Sequence, residues 1–365
     1  MIRILHYYPK DDNMIRQHVT MLTENMGTQA EQHTATESAD ARTLLVGGQY
    51  NILHLHGCWR NSSRNIVTLA LKTGARLVLT PHGQLEPWIK DENRWKEKLP
   101  KQLLYQRSLV NTAYAVIIQG PMEQECMQKL DWNRRTVIVR NAVVTNSITA
   151  TEMAQQTWDI YRKVMDSNPW ELMTDDMRSL LAALLKTGIT GDRRWLTTTP
   201  VTIHDISQWR MLTCYAHQEQ ISEVVNRGLR VMSIEAPDID AANTDCFMPD
   251  NYELPNSISS TIGNKFVSEN ERLMATFKLL KKLVSHRQLA IRHLVELDRE
   301  LRQYSCEEEL LEEKLKEQGL WKLASRTMQL MAERTGLTEG FMPVRPLNDR
   351  TTRQLLRQVD ERLKI

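Results

Sequence analysis

The sequence predicts an α/β fold in which a Rossmann-like parallel sheet forms the N-terminal domain and a mostly α-helical region follows it. From Met1 to about Val144, short β-rich apolar runs alternate with helical patterns, which is typical of βα units on a parallel sheet. After Asn146 these runs stop and amphipathic helical patterns replace them. The 365 residues exceed the usual length of one domain. We therefore expect two domains, at residues 1–146 and 147–365.

Five apolar runs predict the strands of the sheet. They read IRILHYY, NILHLHG, ARLVLTPHG, AYAVIIQG and RTVIVRN. Helix-like segments lie between several of these runs and have the length that right-handed crossovers need. These segments cover residues 14–26, 65–72, 94–110 and 122–130. The alternation predicts a doubly wound sheet.

Helical periodicity and cap signals predict the organisation of the second region. Two capping boxes mark helix starts, Thr149 with Glu152 and Ser305 with Glu308. Apolar spacing predicts one long helix at 265–302 and a further helix at 307–333. Prolines and short polar residues predict a long loop near 233–263.

Composition limits the classes of function. The formal charge of +2, from 47 basic and 45 acidic residues, provides no strong positive field, so we expect no nucleic-acid partner. The five cysteines are widely spread without metal-binding spacing, so we expect reduced thiols and no metal site. Without an apolar signal region or a run of about 18 apolar residues, the sequence predicts a soluble cytoplasmic protein.

Polar residues follow the predicted strands at the edge where parallel sheets bind ligands. In open α/β sheets, ligands bind outside the carboxyl ends of the strands. The residues expected there are His54, His56, Gly57, Pro81, His82, Gly83 and Asn141. Of these, His54 fits a side chain that points into the sheet or packs beneath a helix better than it fits a site residue.

Three segments resemble the acceptor-side N-terminal domain of family 4 glycosyltransferases of the GT-B fold. Residues 51–59, NILHLHGCW, are similar to the family's strand and loop D-h-h-H-h-H-G-x-W, where h is apolar. Residues 77–88, LVLTPHGQLEPW, and residues 113–143 follow in the family's order and spacing. The resemblance covers residues 1–146.

The resemblance implies a glycosyltransferase, with a role in polysaccharide biosynthesis. Such enzymes hold the acceptor in the first Rossmann-like half and a nucleotide sugar in the second, retain the anomeric configuration and need no metal or cofactor. It implies His82 as the catalytic residue, because a His-Gly turn combines a hydrogen-bonding side chain with close backbone approach. The implied substrate-binding residues are His56, Gly57, Trp59, Gly83, Glu86, Trp88 and Asn141. The two tryptophans equally fit residues that cap the core.

The sequence departs from the family pattern on the donor side. The family's first loop is usually rich in glycine, whereas residues 9–14 read PKDDNM, and the carboxylates of Asp11 and Asp12 oppose a diphosphate. Ala142 stands where the closing turn usually has glycine. After Asn146 we find no second set of alternating strands and helices and no Glu-x7-Glu motif.

Two functions therefore stay open. The first is a glycosyltransferase that acts on a glycan or glycolipid acceptor, with a partner polypeptide supplying the donor half. The second is a non-catalytic carbohydrate-binding or scaffold protein derived from a glycosyltransferase. The basic segment at residues 90–107 fits either weak peripheral contact with an anionic membrane or a solvated helix face. The sugar, the acceptor, the oligomeric state and the packing of the helical region do not follow from the sequence.

Overall fold

The computed structural model describes residues 1–86, 98–195, 205–239, 246–263, 266–303 and 305–365. The chain forms two compact units. The first contains Met1–Ser167, a short segment around Phe247 and the last residue, Ile365. The second contains the remainder of the chain from Asn168 onward.

The first unit is built on a six-stranded sheet with the order β2-β1-β3-β4-β5-β6. Its strands are β1 (Ile2–Tyr7), β2 (Ala30–Ala35), β3 (Ile52–His56), β4 (Arg76–Thr80), β5 (Ala115–Ile118) and β6 (Thr136–Ile138). Every pair of neighbouring strands is parallel. The two central strands, β3 and β4, are buried along their whole length. The predicted Rossmann-like parallel sheet is confirmed.

Helices connect these strands as the alternating pattern predicts. They are α1 (Asn13–Met26), α2 (Ser38–Gly47), α3 (Asn61–Lys72), α4 (residues 99–112, with a π-helical turn at Gln102–Gln106), α5 (Pro121–Leu130) and α6 (Ala150–Asp166). Helix α1 begins after Asp12, whose carboxylate accepts a hydrogen bond from the backbone N–H of Ile15 at 3.0 Å. This is the arrangement of an N-cap, which satisfies one of the free amides at a helix start.

The sequence pattern predicts neither strand β2 nor helix α2. The β2 sequence AEQHTA is largely polar and only partly buried, because β2 is an edge strand of the sheet. An edge strand can carry polar side chains on both faces, so the alternation that marks a half-buried strand is missing.

Helix α6 packs with the first unit, although a domain boundary after residue 146 would assign it to the second. Its predicted capping box, Thr149 with Glu152, is confirmed. At its other end, the buried guanidinium of Arg76 on β4 donates hydrogen bonds to the carbonyl oxygens of Val164 and Ser167. The sheet therefore satisfies carbonyls that the end of α6 leaves without helical partners.

The second unit is helical, and its described residues contain no strand. Its helices are α7 (Pro169–Leu172), α8 (Asp175–Thr190), α9 (Ile206–Gln218), α10 (Ser222–Met232), α11 (Ile258–Ile262), α12 (Glu269–Ser285), α13 (Ile291–Gln303), α14 (Glu308–Glu317), α15 (Trp321–Arg334) and α16 (Arg350–Asp360). The mostly α-helical region predicted from the sequence is confirmed. Helix α11 lies within the predicted long loop.

Two expectations for the second unit are wrong in detail. The predicted long helix at 265–302 is two helices, α12 and α13, because Arg287 has a φ of 57° and turns the chain between them. The predicted capping box of Ser305 with Glu308 does not form, since Glu307 is the N-cap residue of α14 and makes no side-chain cap bond. A second turn, at Gly319 with a φ of 63°, separates α14 from α15.

Helices α8 and α10 cross where each carries a glycine. A methyl group at Gly188 would overlap the carbonyl oxygen of Val224, and a methyl group at Gly228 would overlap the carbonyl oxygen of Leu184. These positions therefore require glycine, because each helix backbone lies directly against the other.

We expect Gly188→Ala to lower the free energy of unfolding by about 3 kcal/mol or more, since the added methyl group pushes two packed backbones apart. Chemical denaturation of the purified chain measures this change. Gly47→Ala is the matched control, because Gly47 also lies in a helix but a methyl group there meets no atom within 4 Å. Equal stability of the two variants would contradict the close crossing.

Candidate active site at the carboxyl edge of the sheet

The strand order places a crevice between β1 and β3. From β1 the chain moves to β2 on one side, and it later returns to β3 on the other side of β1. Such a reversal leaves an opening at the carboxyl ends of the two strands, where open α/β sheets bind ligands. His6 lies near the end of β1 and His56 is the last residue of β3. The crevice is therefore bordered by histidines.

A chain of side-chain hydrogen bonds crosses this edge of the sheet, and we call it the histidine chain. Its members in spatial order are Gln32 on β2, His6 on β1, His56 on β3, His82 after β4 and Gln119 after β5. The four successive contacts measure 3.1, 3.1, 3.0 and 2.8 Å. The histidine chain thus links five neighbouring strands in the order in which they lie in the sheet.

The amide groups at its two ends fix the direction of every hydrogen bond. Gln119 donates through its Nε2 to Nδ1 of His82, and the Oε1 of Gln32 accepts from Nε2 of His6. A neutral imidazole has one N–H and one lone pair. Each histidine of the chain is therefore protonated at Nε2 and accepts a hydrogen bond at Nδ1.

Two further histidines pack against the histidine chain. His18 on α1 meets the ring of His82 edge to face, with 4.8 Å between ring centroids, and its Nδ1 lies 3.0 Å from Oδ1 of Asn141. His54 on β3 contacts the hydroxyl groups of Tyr161, at 2.6 Å, and Thr80, at 2.7 Å. Both ring nitrogens of His54 therefore have hydrogen-bond partners within the first unit, as expected of a histidine that stabilises the fold.

Burial keeps these five histidines neutral. Desolvation lowers the pKa of His6 and of His18 to about 4. For His54, His56 and His82, burial and the proximity of other histidines hold the pKa well below its usual value. The cluster therefore offers uncharged donors and acceptors at neutral pH, and it does not attract an anion by charge.

Two residues in the loops of the site have backbone conformations that are rare for residues other than glycine. His82 has a φ of 55° and Trp59 a φ of 66°, both in the left-handed region. Buried hydrogen bonds hold them: Gln84 accepts from the N–H of Cys58, and Gln106 accepts from the N–H of Trp59. Left-handed conformations at residues other than glycine persist where the surroundings enforce them, often at functional sites.

Glu123 on α5 supports the His82 loop from below. Its carboxylate is buried and accepts a hydrogen bond from the N–H of Gln119 at 3.3 Å. The backbone N–H groups of Gly83 and Leu85 also favour its ionised form. Burial outweighs these contacts and raises the pKa of Glu123 to about 7. A carboxyl group that titrates near neutral pH thus lies beneath the candidate catalytic loop.

The residues that the sequence predicts at the site differ in their exposure to solvent. His56 and Asn141 are buried, whereas His82, Gly83 and Glu86 are partly exposed beside the crevice. Gly57 and Gly83 have φ values of 87° and 77°, which glycine adopts without strain.

The two tryptophans differ from this group. Trp59 is buried in the core, and its indole N–H donates to the carbonyl oxygen of Gln84 at 2.9 Å, so its ring stabilises the loop in this conformation. Trp88 lies outside the described residues, as do residues 90–97 of the basic segment at residues 90–107.

Five residues of the site were missed by the sequence analysis: His6, His18, Gln32, Gln119 and Glu123. His6 and Gln119 lie at or just after strand ends, the same position that identifies His56 and His82. They could have been found by that rule. His18 and Glu123 lie inside helices, where no local pattern distinguishes a site residue from a core residue.

The start of α1 is filled by the protein's own carboxylate. Free amides at a helix start bind phosphate groups in many nucleotide-binding proteins. Here Asp12 accepts the hydrogen bond of the Ile15 amide, and Arg16 on the first turn donates to the carbonyl oxygen of Lys10. This end of the crevice therefore carries a negative charge where a diphosphate would need free amides.

Two other expectations can be compared with the structure. All five cysteines are free. Within the part of the chain that the structure describes, no helix combines the length and the apolar character needed to cross a bilayer.

Residues 16–142 match the family model of the glycosyl transferase 4-like domain. The match contains β3, four histidines of the cluster and the loops after β3 and β4, whereas β1 with His6 precedes it. No curated protein and no solved structure shows significant similarity to the chain. Residues 16–142 of the first unit are thus a glycosyl transferase 4-like domain, which confirms the resemblance of the three sequence segments.

The raised pKa of Glu123 gives a testable dependence of stability on pH. Its pKa is about 7 in the folded chain, whereas an unfolded glutamate has a pKa of about 4.3. Between these values the folded state keeps a proton that the unfolded state loses. The free energy of unfolding therefore falls as pH rises from about 4.5 to about 7.

We expect Glu123→Gln to remove this fall, on the order of 3 kcal/mol, while keeping one acceptor oxygen for the Gln119 amide. Urea denaturation of both proteins across this pH range measures the difference. Glu125→Gln, on the exposed face of the same helix, is the control and should follow the parent chain. Parallel curves for the parent and Glu123→Gln would show that Glu123 has no raised pKa.

Proposed function

We propose that this chain transfers a sugar from a nucleotide sugar to a hydroxyl group of a glycan or glycolipid, and that the crevice between β1 and β3 holds the acceptor. The observation that carries the proposal is the position of His82. This partly exposed residue follows β4 directly, within the range that matches the glycosyl transferase 4-like domain. It borders the crevice and is held there by a buried hydrogen-bond network.

His82 is suited to bind a hydroxyl group by accepting its hydrogen bond. Its Nε2–H is used by His56, and its Nδ1 accepts from the partly exposed Gln119. An acceptor hydroxyl that displaces the Gln119 amide would donate to Nδ1 instead. Because His82 donates to His56 through Nε2, the histidine chain keeps the proton on Nε2 and leaves the lone pair on Nδ1 as an acceptor.

The transfer step follows from this contact. The acceptor oxygen attacks the anomeric carbon while its proton moves to Nδ1 of His82. The bond from the anomeric carbon to the diphosphate breaks, and the nucleotide diphosphate leaves with the electron pair. A neutral imidazole is needed for this role, and the lowered pKa of His82 supplies it.

Glu86 and Gly83 complete the acceptor side in this proposal. The carboxylate of Glu86 lies near Gly83, where a methyl group would come within 3.6 Å of it. A carboxylate accepts hydrogen bonds from pairs of sugar hydroxyls. The absence of a side chain at Gly83 keeps this carboxylate open to the crevice.

The donor diphosphate needs a binding site away from the start of α1. Because Asp12 occupies the start of α1, we propose that the donor diphosphate is held by other groups, supplied by a partner polypeptide. The same observation favours the second function: a domain that binds a carbohydrate without transferring sugar needs no diphosphate site. In that case the crevice binds a neutral glycan, and the chain acts as a carbohydrate-binding or scaffold protein.

A transfer assay with His82→Asn tests the first function. Asparagine tolerates a positive φ, so the loop is preserved while the ring is lost. We expect transfer from UDP- and GDP-sugars to glycan acceptors to fall by about 100-fold or more. His286→Asn, on the exposed surface of the second unit, should keep the full rate.

Calorimetric titration of the parent chain distinguishes the two functions. Saturable binding of UDP or GDP together with transfer supports the enzyme and shows that the chain itself holds the donor. Binding of a glycan without transfer, even when a polypeptide that carries the donor half is added, supports the scaffold. Transfer that is unchanged in His82→Asn would contradict the role of His82.

A further inference from the structure

We propose that His18, His56 and His82 form a binding site for a divalent transition metal ion of the Zn²⁺ type. One ring nitrogen of each residue lies within 4.8 Å of the others. Metal binding depends only on the ligand chemistry of these side chains, so it can be tested without measuring sugar transfer.

The spacing of the ring nitrogens fits shared coordination. Nδ1 of His56 and Nε2 of His82 are 3.0 Å apart. Imidazole nitrogens bind Zn²⁺ at about 2.0–2.1 Å, which places two of them about 3.3 Å apart in a tetrahedral site. A shift of a few tenths of an ångström therefore brings this pair to a coordinating geometry.

His18 supplies a ring nitrogen with a free lone pair. Its Nδ1–H donates to Oδ1 of Asn141, and the orientation of that amide is fixed because the same oxygen accepts from the N–H of Val143. Nε2 of His18 therefore carries no proton, and it has no hydrogen-bond partner among the residues that the structure describes. A metal-binding histidine typically has its other nitrogen bonded to a carbonyl or carboxylate oxygen in this way.

The outer nitrogens of the other two residues also have partners. His56 would coordinate through Nδ1 while its Nε2–H continues to donate to His6. His82 would coordinate through Nε2, which requires its proton to move to Nδ1 and the Gln119 amide to turn so that its oxygen accepts. This rearrangement exchanges one hydrogen bond for another and releases no proton.

The second histidine triad, His6, His54 and His56, is less suited to an ion. All three side chains are fully buried, and His54 uses both nitrogens on Tyr161 and Thr80. The first triad instead includes His82, which is partly exposed. An ion can therefore reach it from solvent, and a fourth position stays open for water or a hydroxyl group.

The ligand set selects the class of metal. Three neutral imidazoles suit Zn²⁺, Co²⁺ or Ni²⁺, whereas Mg²⁺ and Ca²⁺ prefer oxygen ligands.

Calorimetric titration of the full chain with ZnCl₂ tests the site, with MgCl₂ as the comparison ion. We expect one saturable site for Zn²⁺ and no binding of Mg²⁺. His82→Asn and His18→Gln should each weaken Zn²⁺ binding by at least about tenfold. His217→Asn and His286→Asn, both exposed, are the matched controls and should leave the affinity unchanged.

Co²⁺ provides a spectroscopic readout for the same variants. We expect a visible d–d absorption of a tetrahedral ion in the parent chain and its loss in His82→Asn. Circular dichroism verifies that each variant is folded. Absence of Zn²⁺ binding, or Zn²⁺ binding that both cluster variants retain at the affinity of the parent chain, would overturn the proposal. Because no nucleotide sugar is present, this outcome leaves the proposed sugar transfer untouched.

Discussion

The hydrogen-bond chain from Gln119 through His82, His56 and His6 to Gln32 is the interaction on which the site depends. It joins five neighbouring strands, four of them at or near their carboxyl ends. Within it, every hydrogen bond has the same direction, from Gln119 towards Gln32. Loss of one member would leave buried donors or acceptors without partners, which costs more than the hydrogen bond itself contributes. The left-handed conformation of His82 and the support from Glu123 are local consequences of holding one ring at the end of this network.

The same network determines which ligands suit the crevice. The five histidines of the cluster remain neutral, and Asp12 occupies the start of α1, so the edge of the sheet offers lone pairs and polar hydrogens in place of positive charge. Sugar hydroxyls match these groups better than a diphosphate does. A transition metal ion is the other class of ligand that neutral imidazoles favour. Our two proposals therefore draw on one property of the site, its lack of charge, although each is tested by a separate experiment.

Much of this architecture could be predicted from the sequence, for reasons that differ between elements. Buried strands such as β3 and β4 are continuous apolar runs, and residues that follow them, including His82, must lie at one edge of a parallel sheet. Strand β2 was missed because an edge strand need not be apolar. His18 and Glu123 approach the site from helices, and their roles depend on tertiary contacts. The turn at Arg287 was missed because periodicity alone does not reveal a left-handed residue between two helices.

The protonation of the histidine rings tests the account most directly. A long-range proton–nitrogen NMR spectrum of the chain labelled with ¹⁵N-histidine, recorded at neutral pH and assigned with single His→Asn variants, reports which ring nitrogen carries the proton. The account predicts neutral rings throughout, with the proton on Nε2 in His6, His56 and His82 and on Nδ1 in His18. A charged imidazolium in the cluster, or a proton on Nδ1 of His56 or His82 in the metal-free chain, would contradict it.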